Sequence, residues 1–207
     1  RTSAGHTITL PRLFRSFTGT QSLSYHREKK CFNYKVRLFV IFAKYNRNRN
    51  PTLPIIMKIA FLSTFYPYRG GIAQFNANLY EELAKEHQVK AFTFSRQYPS
   101  LLFPGKTQYV TERDNAKVIE SIAVLDSINP FSYFSSAKKI AQLEPDVVVM
   151  RYWVSYLAPA LGTVAKLLRK KGIKVIAILD NVIPHERKFF DKPFAKWFIK
   201  QCDGCIA

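Results

Sequence analysis

Short apolar runs that alternate with amphipathic segments constrain the fold of this chain most strongly, and they begin at Met57. The runs cover residues 58–64, 89–95, 146–150 and 173–179. The last two are apolar without alternation, which is typical of strands buried on both faces of a parallel sheet. Helical periodicity over 72–87, 131–143 and 155–171 fills the intervals, and the third of these segments ends in Lys170-Lys171-Gly172, residues that favour a helix C-terminus. The alternation predicts an α/β domain with a Rossmann-like, doubly wound parallel sheet.

Net charge divides the chain into two parts. The 207 residues include 32 Lys and Arg and 14 Asp and Glu, a net charge of +18. Residues 1–56 carry +10 of it and residues 57–207 carry +8. The first part has no regular periodicity, and its apolar run, Leu38 to Ala43, is too short to span a bilayer. We expect 1–56 to be a disordered basic segment or upstream sequence translated in frame before Met57, with an Arg-rich targeting segment as the alternative.

A pair of glycines, Gly70-Gly71, follows the first predicted strand and precedes the first predicted helix. Ligands of doubly wound sheets bind at the carboxyl ends of the strands, so this loop lies where a ligand is expected. Glycines let the backbone approach a ligand closely, and a helix N-terminus offers unpaired N–H groups to a phosphate. A tight turn with no ligand is the alternative.

Two well-known phosphate-binding motifs are absent in their full form. The dinucleotide fingerprint needs spaced glycines and an acidic residue near the end of the second strand, but here the glycines are adjacent and that strand ends in Phe94-Ser95-Arg96. Gly105-Lys106-Thr107 resembles the end of a P-loop, yet Ser100 stands at the first glycine position. The patterns argue against a hydride-transfer enzyme and a nucleoside triphosphatase.

Several stretches, taken in order, resemble the N-terminal domain of GT-B glycosyltransferases, in particular the family-four retaining enzymes. The stretches are 67–74, 96–99, 103–107, 151–153 with Ala158-Pro159, and 180–186. The resemblance covers 57–207 and implies the N-terminal half of a GT-B glycosyltransferase, which transfers a sugar from a nucleotide-diphosphate sugar in a cleft between two Rossmann-like domains. We expect the donor-binding domain to follow Ala207, so that this part of the enzyme is inactive alone.

The resemblance also implies roles for individual residues. It places Gly70 and Gly71 against the donor diphosphate and the acceptor, and Arg69 near an acidic or phosphate-bearing acceptor. It implies that His185 is the catalytic contact that faces the acceptor, where a histidine can change protonation near neutral pH; a loop histidine with a structural role is the alternative. The remaining donor- or acceptor-binding candidates are Arg151, Asp180, Asn181 and Glu186. Arg151 ends the third predicted strand, where its guanidinium could hold a phosphate or form a surface ion pair.

The pair Cys202-x-x-Cys205 has the spacing of a redox or zinc motif. Zinc needs four ligands, and beyond this pair the chain has one cysteine, Cys31. A redox pair normally begins a helix, whereas Cys205 precedes an apolar run. We expect ordinary half-buried thiols, with no metal and no cofactor.

Bases and large aromatic residues alternate over 187–200. This pattern is typical of a helix that lies on anionic lipid, and it also fits a helix whose aromatic residues face the core while its lysines face solvent. The charge by itself would suit a nucleic-acid-binding protein, but the basic residues form no recognised motif. A different Rossmann-like nucleotide-binding enzyme is the third class. Few cysteines and no signal peptide favour the cytoplasm, with peripheral attachment to the inner face of the membrane.

Overall fold

The computed structural model describes residues 56–99, 107–112, 114–180 and 188–207. The predictions for 1–55, for the P-loop-like Gly105 and Lys106, and for 181–187 lie outside these residues. The strands are β1 Lys58–Leu62, β2 Gln88–Arg96, β3 Ser121–Asp126, β4 Val147–Tyr152, β5 Lys174–Leu179 and β6 Gly204–Ile206. The helices are α1 Gly71–Ala84, α2 Pro130–Ala141, α3 Ala158–Lys170 and α4 Asp191–Lys200, and a short 3₁₀ turn, Ser155–Leu157, leads into α3.

All neighbouring strands of the sheet run parallel, in the order β3-β2-β1-β4-β5-β6. The direction of winding reverses between β1 and β4, where Leu62 is in register with Met150. This is the topological switch point, beside which doubly wound proteins bind their ligands. The predicted fold class, α/β with a Rossmann-like doubly wound parallel sheet, is confirmed.

Helices cover the sheet on both faces, and β4 shows why its sequence is apolar throughout. Val148, Met150 and Tyr152 belong to the core that α2, α3 and α4 form on one face. Val147 and Val149 belong to the second core, to which α1 contributes on the opposite face. All six residues of β4 are buried, so the strand lies in the middle of the molecule and brings the residues at its end to the switch point.

The aromatic residues of the 187–200 segment are divided between core and surface. Phe198 is fully buried and stacks on Tyr152 with ring centroids 4.9 Å apart, as the core interpretation predicts. Trp197 is 37% exposed and covers Gly162 of α3, where an added Cβ would lie 2.3 Å from Trp197 Cζ3. Phe189 is 95% exposed. The exposed members leave the membrane interpretation open as a prediction.

The end of α3 confirms the predicted helix stop at Gly172. Gly172 has a φ of 80°, which glycine adopts without steric cost. Its N–H donates to the carbonyl of Arg169 at 2.9 Å, and the N–H of Ile173 donates to the carbonyl of Leu168 at 3.2 Å. This pair of bonds is a Schellman motif, which satisfies carbonyls that would otherwise have no partner at the helix end.

The start of α4 is tied to the start of α3 by one carboxylate. Asp191 is buried and accepts hydrogen bonds from the Ser155 hydroxyl and, at 2.7 Å, from the backbone N–H of Lys188. The hydrogen bond from Ser155 is the main reason that the pKa of Asp191 lies below its ordinary value, and the hydrogen bond from Lys188 is the second reason. A charged carboxylate is also favourable at a helix N-terminus.

The strand β3 was not predicted from the sequence. It is an edge strand, it pairs only with β2, and its register shifts at two points. Leu125 is the one residue of β3 that is fully buried, so the strand lacks the continuous apolar run that marks β4 and β5. An edge position removes the burial pattern on which the other strand predictions depended.

Candidate functional site

A cavity of about 180 Å³ lies at the carboxyl ends of β1, β2 and β4, beside the switch point. The described residues that line it are Thr64, Arg69, Gly70, Gly71, Ile72, Gln97, Tyr98, Gln108 and Trp153. They come from the loops that leave these strands, from the first turn of α1 (Gly71 and Ile72) and from the loop that contains Gln108. The predicted site residues Arg69, Gly70 and Gly71 are therefore brought together on one wall.

The glycine pair has two different roles in this wall. Gly70 is the N-cap of α1, with φ 113° and ψ 172°, a region that is essentially restricted to glycine. Gly71 has no such requirement, and a Cβ added to it would meet nothing within 4 Å. No side chain caps the N-terminus of α1. The helix end thus presents its backbone N–H groups and its positive dipole beside the cavity.

Aromatic side chains form a second wall and hold one another in place. The indole N–H of Trp153 donates to the Tyr98 hydroxyl at 2.9 Å, and Trp153 contacts Phe94 edge-to-face. The Tyr156 hydroxyl donates to the carbonyl of Gln97 at 2.6 Å. Burial raises the pKa of Tyr156, which keeps this phenol neutral and able to donate. These bonds fix the orientation of the Trp153 ring at the cavity.

The polar groups of the cavity include one side chain whose hydrogen bonding is incomplete. The Thr64 hydroxyl donates to Gln97 Oε1 at 2.6 Å, so that pair is satisfied. Gln108 Oε1 is buried and has no hydrogen-bond partner among the described residues. Its Nε2 lies 3.5 Å from the Tyr98 carbonyl, the upper limit of a hydrogen bond. Buried polar atoms are nearly always paired, so this amide is an exception at the cavity wall.

Arg69 lies at the mouth of the cavity, and 46% of its side chain is exposed. Its Nη2 lies 3.6 Å from Asp114 Oδ1. Its backbone N–H donates to the carbonyl of Gln108 at 3.0 Å, which ties the glycine loop to the segment that contains Gln108. Hydrogen bonds from Thr111 are the main reason that the pKa of Asp114 is lowered. The Arg69 guanidinium remains accessible to an anion at the rim.

Arg151 and Asp180, predicted as separate binding residues, pair with each other behind the cavity. Arg151 Nε and Nη2 donate to the Asp180 carboxylate at 2.5 and 2.6 Å, and Nη1 donates to Asn76 Oδ1 at 2.9 Å. The guanidinium also lies 4.3 Å from the centroid of the Phe75 ring. Arg151 is 5% exposed and the Asp180 side chain is 22% exposed, so the ion pair expected as the alternative is present, with its guanidinium buried and its carboxylate partly exposed. Its donors are used within the protein, so the structure does not present it as a phosphate ligand.

The network continues from this pair to the cavity wall. Asn76 Nδ2 donates to the Ser63 hydroxyl and to the Thr64 carbonyl, both at 2.8 Å. A fully buried amide thereby connects α1, the end of β1 and the end of β4. Arg151 is thereby linked to the cavity wall through Asn76 and Thr64.

Three of the predicted site residues, His185, Asn181 and Glu186, lie outside the described residues.

The predicted cysteine pair consists of two free thiols: Cys202 is half-buried and Cys205 is exposed. A hydrogen bond between them raises the pKa of Cys202 and lowers that of Cys205. The described residues contain no group of three or more His, Cys, Asp or Glu side chains suited to a metal ion.

Six of the lining residues were not predicted from the sequence: Thr64, Ile72, Gln97, Tyr98, Gln108 and Trp153. Ile72, Gln97, Tyr98 and Trp153 belong to stretches that carry the family resemblance. All but Ile72 and Gln108 lie within two residues of a strand end, and that position is the signal that could have identified them. Gln108 lies in a loop, and no pattern in the sequence marks it.

Comparison with protein-family models and with curated proteins gives no match. Among solved structures, the chain is similar to a cobalamin-binding protein from Desulfitobacterium hafniense DCB-2, with a TM-score of 0.38, 11% identity, and coverage of 73% of this chain and 52% of that one. It is also similar to a protein of unknown function from Vibrio parahaemolyticus RIMD 2210633, with a TM-score of 0.36, 13% identity, and coverage of 73% and 93%. The chain spans about half the length of the first protein. Neither likeness assigns it to a family.

Proposed function

We propose that the described α/β unit is the acceptor-side, N-terminal domain of a retaining GT-B glycosyltransferase. The enzyme transfers a hexose-like sugar from a nucleotide-diphosphate sugar to an acceptor in glycan or glycolipid assembly. The observation that carries the proposal is the cavity at the switch point, because the Gly70-Gly71 turn and the uncapped start of α1 form its wall. The motif order that resembles the family supports the same assignment.

In the proposed reaction, the acceptor occupies the cavity and the donor diphosphate lies over Gly70 and Gly71. The bond between the sugar C1 and the diphosphate oxygen breaks, and the acceptor oxygen bonds to C1 on the same face, which retains the anomeric configuration. The acceptor proton passes to the leaving diphosphate. Arg69 and the start of α1 stabilise the negative charge of the leaving group, and His185 orients the acceptor. The reaction uses no metal ion and no cofactor.

Turnover requires a donor-binding domain, so the experiment joins residues 57–207 to the donor-binding domain of a retaining GT-B enzyme. Release of nucleoside diphosphate is then measured with uridine and guanosine diphosphate sugars and a panel of glycan acceptors. Gly71→Val should abolish transfer without unfolding, because its side chain enters open space at the cavity. Ala84→Val, at the exposed far end of α1, is the matched control. Equal turnover by the two variants would contradict the assignment.

The 207-residue chain itself distinguishes the other two classes. Sugar transfer by this chain alone would refute the need for a donor domain. Retention of single-stranded or duplex oligonucleotides at physiological salt would favour nucleic-acid binding, since about half of the net charge lies in residues 57–207. Tight binding of a free dinucleotide would favour a different Rossmann-like enzyme.

We also place the domain in the cytoplasm, at the inner face of an anionic membrane. Phe189, just before α4, and Trp197, on α4, are exposed, and so are the α4 bases Lys192, Lys196 and Lys200, a combination suited to the lipid interface. Among the described helices, none is both long and apolar enough to cross a membrane. Sedimentation with phosphatidylglycerol vesicles at low salt should deplete the protein from solution, and absence of depletion would remove the membrane from the proposal.

A further inference from the structure

The cavity has the chemical character of a site for a neutral sugar. Its volume of about 180 Å³ is below the roughly 300–1,000 Å³ of sites for drug-sized ligands, which suits one pyranose ring rather than a longer glycan. Among the described residues that line it, none carries a carboxylate, and Arg69 at the mouth is the one cation. Hydroxyl and amide side chains from Thr64, Gln97 and Gln108 supply neutral donors and acceptors.

The Trp153 side chain gives the cavity an aromatic wall. Trp153 is 8% exposed, and its indole N–H is already bonded to Tyr98, so what it offers a ligand is its ring. The ring face carries partial negative charge, and the C–H groups on one side of a pyranose carry partial positive charge. A phosphate or carboxylate would be repelled by this ring, whereas a neutral sugar packs against it.

The incomplete hydrogen bonding of Gln108 is a second indication, besides the aromatic wall, that the cavity binds a ligand. Within the part of the chain that the structure describes, its Oε1 has no partner and its Nε2 has one long contact, to the Tyr98 carbonyl. A buried acceptor without a donor costs roughly 1–3 kcal/mol. A ligand hydroxyl that donates to Oε1 removes this cost, and it does so only when the ligand is bound.

We propose that this cavity binds a neutral pyranose, the terminal sugar of the acceptor, through a hydroxyl bonded to Gln108 and a ring face packed on Trp153. Its assignment to the acceptor rests on the proposed function, whereas sugar binding is a property of the cavity itself. The sugar's anomeric or bridging oxygen would lie toward the mouth, where Arg69 can meet a phosphate that links the sugar to its carrier.

The test is saturation-transfer NMR on the 207-residue chain with methyl glycosides of glucose, galactose, mannose and N-acetylglucosamine. Glucuronic acid and glucose 1-phosphate are the charged probes. Gln108→Met keeps the size of the side chain and removes its acceptor, and Gln142→Met, at an exposed position outside the cavity, is the matched control. Loss of one neutral hydrogen bond should weaken binding about tenfold. Gly71→Val narrows the same cavity without a protein clash and should weaken binding even if Gln108→Met does not fold.

A second readout comes from tryptophan fluorescence. The chain has two tryptophans, so Trp197→Phe leaves Trp153 as the sole reporter, and its emission should change on titration with the preferred methyl glycoside. Saturable binding of a neutral glycoside that Gln108→Met weakens and Gln142→Met retains supports the proposal. No saturable binding, equal binding by these two variants, or tighter binding of glucuronic acid overturns it. Sugar binding by a chain whose chimera gives no transfer would refute the proposed function and leave the sugar site intact.

Discussion

The buried pair of Arg151 and Asp180 gives the sharpest stability prediction. Arg151→Met removes a guanidinium that makes two charged hydrogen bonds to Asp180 and one bond to Asn76. The carboxylate is then left with only partial access to water, because its side chain is 22% exposed. Breaking a buried pair from one side costs about 3–5 kcal/mol, and the partial exposure of Asp180 places this variant near the lower end.

The reverse change should cost more. Asp180→Leu leaves the Arg151 guanidinium unpaired, and only 6% of that side chain is exposed, so the cost should lie near the upper end of the same range of about 3–5 kcal/mol. The double variant, Arg151→Met with Asp180→Leu, removes both charges. It should be less destabilised than Asp180→Leu alone, because no buried charge remains without its partner.

Urea unfolding followed by circular dichroism measures these differences, with the slope of the transition as a check on two-state behaviour. For a domain of this size, a loss of about 3–5 kcal/mol corresponds to a fall in Tm of roughly 6–20 °C. Arg96→Met is the control, since Arg96 pairs with Asp126 at the surface and should change stability little. The reasoning is refuted if Arg151→Met is as mild as Arg96→Met, or if the double variant costs the sum of the two single variants.

Three further predictions concern glycines and one carboxylate. Gly162→Ala should destabilise the protein by about 1–3 kcal/mol while Trp197 is present, because the added Cβ would clash with the indole ring. In a Trp197→Ala background the same change should stabilise the protein, because alanine is favoured over glycine in a helix. The urea midpoints of these variants measure both changes in stability. Gly70→Ala should cost about 1–3 kcal/mol in the same assay, whereas Gly71→Ala should be neutral or stabilising, since of these two glycines it is Gly70 that has a positive φ. The lowered pKa of Asp191 means that its stabilisation is complete above the unfolded-state value of about 3.9 and is lost as the pH falls through the folded-state value. Asp191→Asn should therefore flatten the acid side of the pH–stability curve, and an unchanged curve would contradict this.

The sheet could be predicted from sequence where burial on both faces left a continuous apolar run. Val147 to Met150 and Val175 to Leu179 are such runs, and both form strands at the centre of the sheet. Ser121–Asp126 could not be found in this way, because an edge strand buries only part of its length. The position of the site followed from topology, since the carboxyl ends of parallel strands meet at one edge.

The residues that form the site were harder to predict from the sequence than its position. The sequence placed Arg69, Gly70 and Gly71 at the site, because a glycine turn between a strand and a helix is a local feature. It did not find Gln108, which lies in a loop that a backbone hydrogen bond from Arg69 N–H to the Gln108 carbonyl holds beside the cavity. Nor did it predict that Arg151 would be buried, since its exposure depends on what the rest of the chain brings beside it.

Apolar periodicity and the conformational freedom of glycine act over a few residues, so the α/β class, the parallel sheet and the glycine turn can be predicted from the sequence. The folded chain is needed to show that Arg151 pairs with Asp180, 29 residues away, and with Asn76, 75 residues away. Such contacts depend on strand order, which brings the ends of β1, β4 and β5 together. Packing likewise created the cavity and left the Gln108 amide on its wall without a full set of partners.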